Sequence, residues 1–343
     1  MKILRASEDG INVIARYDKY FQNEDYEMYF NTANGFELIR GINGKPDPFA
    51  LEMPALLDVG IMGHCKNNCK ICYQGDEEEE HMTLKDFKFI VDQCHSHTNQ
   101  IALGGRGDPN HHPYFKEIIE YCRSKQVVPN YTTSGIDLTD EQIEISRMCG
   151  AVAVSDYSKK FTYDAIKRFQ NAEIKTNIHF VFTSESASKA FDFLKGHNPW
   201  KADVDLDRLN AVVFLLFKPA GKGKDHFELR PTEEQIQTFS HLAFNREEIS
   251  PKVGMDSCLA NHMNVPKGME FFINTCEASR QSAYISPSMN MMPCSFIDQV
   301  FKVPLKRYNY GRNTLYAIWK LHYTFIKVRN KLHDSPKKCP LGY

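Results

Sequence analysis

The chain has 343 residues, 42 Lys+Arg against 43 Asp+Glu, a formal net charge of −1 and 42% apolar residues. That is enough chain to bury one large core or two smaller ones, and the composition excludes a disordered protein. The near-neutral charge argues against bulk attraction to nucleic acid, no apolar run nears the roughly 20 residues a bilayer span needs, and MKILRASEDG has no signal-peptide core, so a cytoplasmic protein with neither nucleic acid nor membrane as partner is expected.

Residues 1–56 read as a small β-rich segment, because Asn34-Gly35 lies between two alternating runs within 26–40, a hairpin signal. From residue 57 the rhythm changes. Short β-branched runs at 57–61, 100–103, 127–132, 151–155, 174–183 and 211–217 alternate with helical patterns at 84–97, 113–125, 139–149, 162–170, 186–195 and 231–243. Thr83 starts the first helix, and Thr139 with Gln142 and Thr232 with Gln235 form capping boxes. Six βα units in a row imply parallel strands with helices outside, as an α/β partial (βα)6 TIM-type barrel or a doubly wound sheet. After about 245 the pattern changes again: 281–286 and 290–292 flank a turn at Pro287-Ser288-Met289, and a helical stretch is expected near 313–333. The domains are therefore 1–56, 57–245 and 246–343.

Ten cysteines require an account of their own. In a reducing compartment metal binding or catalysis is the better reading than disulfides. Cys94, Cys122 and Cys149 fall on apolar helix faces and read as small core residues. Cys65, Cys69 and Cys72 crowd the loop after the first strand of the alternating series, at the end where α/β folds build their sites. With His64 as fourth ligand they suit zinc; alone, they leave one iron of a [4Fe–4S] cluster open. Cys258, Cys276, Cys294 and Cys339 suit a closed centre, zinc or iron–sulfur.

The segment CKNNCKICYQG, with Tyr73 after the third cysteine, resembles the CxxxCxxC loop of the radical S-adenosylmethionine (SAM) enzymes. Gly104-Gly105-Arg106-Gly107-Asp108-Pro109 is similar to that family's GGxGEP segment, with Asp108 in place of Glu. Ser134 in a TNG-like turn, Ser155 and Asn177 on later strands, and Lys218 in a KPxGRG-type ending follow in the family's order. The resemblance implies that Cys65, Cys69 and Cys72 hold a [4Fe–4S] cluster. It further implies that Tyr73, Gly104, Gly105, Gly107, Asp108, Ser134, Ser155, Asn177 and Lys218 bind SAM, whose one-electron cleavage yields a 5′-deoxyadenosyl radical.

CEASRQSAYISPSMNMMPCSF resembles the hairpin of the SPASM/twitch extensions, with Ser288-Met289 replacing the usual Asp-Gly. Four cysteines in place of about seven imply a twitch-like domain with one auxiliary [4Fe–4S] cluster. In sulfatase-maturing relatives an aspartate follows the cysteine equivalent to Cys294; here Ser295 stands there, with Asp298 the weak candidate for a base. The resemblance implies post-translational or RiPP maturation of a peptide or protein substrate, a separate leader-peptide-recognition protein, and flavodoxin or ferredoxin as electron donor. The same chemistry on a small molecule, as a dehydrogenase or cofactor-biosynthesis enzyme, is the alternative.

Overall fold

Alternating runs at the N-terminus pair locally before the main sheet begins. The structure is a computed structural model. It describes residues 2–8, 11–67, 69–75, 77–200, 204–247, 250–269, 275–296, 301–308, 311, 313–336 and 339–340. β1 (Lys2–Glu8) and β2 (Ile11–Tyr17) form an antiparallel pair. β3 (Lys19–Gln22), β4 (Tyr26–Phe30) and β5 (Glu37–Gly41) form a second, three-stranded sheet. The expected hairpin is present: Gly35 takes φ +79°, and β4 pairs with β5 from Tyr26–Gly41 to Phe30–Glu37. Tyr26, Met28, Leu51 and Ala55 give this part a small apolar core.

The alternating series follows: β6 (Leu56–Gly63), α1 (Leu84–Cys94), β7 (Gln100–Arg106), α2 (Phe115–Ser124), β8 (Val128–Thr133) and α3 (Asp140–Ser146). Then come β9 (Val152–Ser155), α4 (Lys160–Asn171), β10 (Thr176–Phe182), α5 (Ala187–Leu194), β11 (Ala211–Leu216) and α6 (Glu233–Phe244). All six expected units are there. Both capping boxes form, Thr139 with Gln142 and Thr232 with Gln235, so the starts of α3 and α6 are set by side chains that satisfy orphan N–H groups.

Beyond residue 245 lie β12 (Lys252–Met255), α7 (Ser257–Ala260), β13 (Ser282–Ile285), β14 (Asn290–Met292) and β15 (Val303–Pro304). The result is a mixed α/β molecule with one ten-stranded sheet in the order β12-β11-β10-β9-β8-β7-β6-β13-β14-β15. Neighbours from β12 to β13 are parallel; β13, β14 and β15 are antiparallel. The hairpin turn at Ser288-Met289 forms without glycine because Met289 itself takes φ +63°, with its side chain wholly buried.

The helical stretch expected near 313–333 is present as two helices, α8 (Thr314–Leu321) and α9 (Tyr323–Asp334). His322 is extended, at ψ 133°, and its ring accepts the Thr324 N–H, ending one helix and capping the next.

The two faces of the parallel sheet differ in chemistry. Val59, Ile101, Ile178, Phe180, Phe182, Val212 and Phe214 join Phe87, Ile90, Ile119, Ile166, Phe193 and Phe239 from the helices in one core, where Cys94 and Cys122 are also fully buried. On the opposite face β6, β8 and β10 put Asp58, Asn130, Thr132, Asn177 and His179, all half-buried. A parallel sheet covered on both sides by core reads as a continuous apolar run. Polar alternation here instead marks a face built to meet something other than a helix.

Candidate active site

The triad loop leaves β6 at Gly63, among the C-terminal ends of the parallel strands. Cys65, Cys69 and Cys72 are half-buried free thiols. Cys65 Sγ accepts the Asn67 N–H at 3.2 Å, Cys69 Sγ donates to Tyr157 Oη at 3.3 Å, and Cys72 N–H reaches Cys69 O at 3.2 Å. Burial holds all three above the usual thiol range, and the three lie near enough for neighbouring thiols to oppose each other's ionisation.

Glycines let other strand ends press on this loop. A Cβ on Gly107, at φ +108°, would come within 2.5 Å of His64 O. Gly105 approaches Met62 O just as closely, so β7 seats against the root of the triad loop through backbone alone. Gly104, by contrast, faces open space.

Asp108 and Ser134, expected as separate contacts, come together: the Asp108 carboxylate accepts the Ser134 N–H at 2.8 Å and its hydroxyl at 2.5 Å. Ser155 ends β9 beside them in the row of strand ends. Asn177 does not join the group. It lies near the start of β10, paired with the first residue of β11, and its Oδ1 accepts from Asn210 Nδ2 at 2.7 Å. Lys218 is engaged elsewhere, donating to Leu216 O at 3.0 Å and to the Asp256 carboxylate. Tyr73 packs edge-on against Phe296, ring centroids 4.7 Å apart, and burial pushes its phenol up to about 12. Asp298 lies outside the described residues.

The four late cysteines are drawn into one neighbourhood although Cys258 lies in the short α7 and Cys276 and Cys294 flank the β13–β14 hairpin. Burial pushes Cys258 up to about 12, with the Cys276 and Cys339 thiols adding to it; Cys294 is raised by burial and then by Cys258 and Cys276. Among the described residues no three His, Cys, Asp or Glu side chains stand close enough to hold a single metal ion. Four buried thiols suit a closed centre, zinc or iron–sulfur.

Two cavities flank the triad loop. One of about 400 Å³ is lined by His64, Cys65, Asp108 and His112; the other, about 550 Å³, lies between Tyr73, Arg106, Tyr284 and Ser295. Asp58, Tyr284 and His179 were not singled out from sequence. Burial, with the charge of Glu277, raises the Asp58 carboxyl to about 7, and burial lowers the His179 imidazole to about 4. For His179 the polar alternation in TNIHFVF is the visible signal.

No protein-family model matches the chain. Mycofactocin maturase MftC of Mycobacterium tuberculosis is 23% identical over 270 residues, covering 72% of this chain and 66% of its own length, so the chain spans just under two thirds of the curated relatives it matches. Streptococcus suis SuiB bound to precursor peptide SuiA superposes with a TM-score of 0.62 at 13% identity, over 82% of this chain and 67% of that one. A structure of anSMEcpe with bound AdoMet and Kp18Cys peptide gives a TM-score of 0.59 at 16% identity, over 83% and 88%. The chain is thus similar in sequence to a mycofactocin maturase and shares its fold with SuiB and anSMEcpe.

Proposed function

We propose that the chain reductively cleaves SAM and abstracts hydrogen from a peptide or protein substrate, with an auxiliary cluster aiding oxidation. The observation that carries this reading is the contact of Gly105 and Gly107 with the root of the triad loop, which joins the two motif-bearing strand ends in one site. Cys65, Cys69 and Cys72 would hold the first cluster and Cys258, Cys276, Cys294 and Cys339 the second. When bound, the first cluster and SAM supply a 5′-deoxyadenosyl radical; that chemistry belongs to the cofactor.

The chain's own residues orient and enclose. Tyr73 lines the cavity beside the triad, and Asp108 holds the Ser134 turn in place. The polar row from Asp58 to His179 would line the substrate's side of the sheet. A peptide substrate is supported by the peptides bound to SuiB and anSMEcpe. In this reading 57–245 form a partial barrel, 246–343 a twitch-like domain and 1–56 a segment that assists substrate docking, with a separate leader-recognition protein and a flavodoxin or ferredoxin as partners.

Anaerobic reconstitution followed by SAM and dithionite tests the reading. About eight irons per chain and 5′-deoxyadenosine formation are expected; zinc without sulfide would overturn it. A second reading, the same chemistry on a small molecule, has one support: 23% identity over 151 residues, 43% of this chain and 41% of the relative, to a tungsten-containing aldehyde ferredoxin oxidoreductase cofactor-modifying protein from Pyrococcus furiosus. Mass change in a co-expressed peptide separates the two.

A further inference from the structure

Lys218 is the most deeply buried cation near the candidate site, 6% exposed. Its ammonium has two partners besides Leu216 O. One is the Asp256 carboxylate, two residues before Cys258; the other is the ring of Phe296, two residues after Cys294, with Nζ 4.3 Å from the centroid. Both therefore come from segments that carry late cysteines. Burial opposes the charge on Lys218, yet Asp256 and the nearby Cys258 and Cys294 thiols hold its ammonium above the usual lysine range. The Asp256 carboxylate is itself anchored, accepting the Leu259 N–H at 2.8 Å and the Leu216 N–H at 3.2 Å, so the cation is held in a fixed place.

We propose that Lys218 is a fixed internal cation for the four-cysteine centre, raising the reduction potential of the cluster held there, rather than a ligand of SAM. The inference rests on the reading of Cys258, Cys276, Cys294 and Cys339 as cluster ligands. A positive charge in a low-dielectric interior favours the more negative, reduced form of a thiolate-bound cluster, and water cannot screen it. The ammonium bridges the segment that carries Cys258 and the segment that carries Cys294, whereas the Asp256 carboxylate belongs to the first alone. Phe296 extends the arrangement: its ring lies between the ammonium and Tyr73, which follows triad residue Cys72.

The test is an EPR-monitored redox titration of the reconstituted full chain. K218M is expected to lower the midpoint of the second cluster, K218R to keep it near the wild-type value, and neither to change SAM affinity. Should K218M fail to fold, K218M/D256N removes the stranded carboxylate while keeping an acceptor for the Leu259 and Leu216 N–H groups, and a smaller lowering is expected. An unchanged midpoint in the Met variants, or an equal lowering in K218R, overturns the proposal. So does a loss of SAM affinity with the midpoint unmoved, which returns Lys218 to the SAM site. Iron and sulfide analysis of the wild type reads the underlying assumption separately: four irons per chain, all lost on mutating Cys65, would sink the auxiliary cluster itself.

Discussion

Gly221 shows how a single backbone position ties the site together. It sits in the loop after β11 at φ +54°, and a Cβ there would meet Tyr73 O at 2.3 Å and Gln74 O at 2.4 Å. The neighbouring N–H groups of Lys222 and Gly223 reach Gln74 O and Cys72 O at 3.2 and 3.3 Å. The loop after β11 thus closes over the triad loop through main-chain contacts that any side chain would force apart. G221A is expected to cost about 1–3 kcal/mol in urea denaturation and to lower the iron retained after reconstitution. Wild-type values for both would mean that the closeness has no structural consequence.

At the scale of elements, β10 carries the clearest division of labour, with Ile178, Phe180 and Phe182 in the core and Asn177 and His179 on the other face. Burial lowers the His179 imidazole from 6.5 to about 4, and the nearby Asp256 charge only partly offsets it. The folded value lies below the unfolded one, so between them the unfolded chain takes up a proton that the folded chain refuses. The stability held by neutral His179 is therefore complete above about pH 6.5 and declines as the pH falls toward 4, by up to about 3 kcal/mol. H179Q should flatten that part of the urea-midpoint profile between pH 7 and 5, and an unchanged slope would refute the assignment.

The legible elements were those with a local cause. β-branched runs, capping boxes and Asn34-Gly35 act within a few residues, and they marked the six βα units and the first hairpin. β12, KVGM, is four residues long and is held by pairing with β11, a cause that no window of sequence contains. The break at His322 is equally silent, because the apolar spacing of α8 and α9 runs on across it and no Pro or Gly marks the stop. In the site, cysteines and glycines announce themselves by type and spacing. Lys218 was visible, but its partner Asp256 lies 38 residues away in the chain, so its place beside the late cysteines emerged only with the fold.

For the whole molecule, the pairing of β6 with β13 is the longest stitch in the main sheet. Asp58 stands opposite Tyr284 in register, and a Cβ on Gly60 would come 2.5 Å from Tyr284 Oη. A chain cut after residue 245 leaves β6 as an edge strand paired with β7 alone, its own Leu57, Val59 and Ile61 wholly buried in the full chain. Such edges template pairing with other chains. The fragment 1–245 is expected in the insoluble fraction on expression, whereas the full chain stays in solution; a monodisperse fragment by size-exclusion chromatography would show that the βα units close without β13.

The same stitch imposes an order in time on synthesis. A chain emerging from the ribosome makes β6 and the triad cysteines early, yet β6 gains its second neighbour only after residue 285 is out. Contacts so distant in sequence form late, because the loop between them must close first. Throughout that interval the first thiol group hangs on a strand with one bare side. The β13–β14 hairpin, flanked by Cys276 and Cys294, is therefore the piece that finishes the wall on which the triad loop stands.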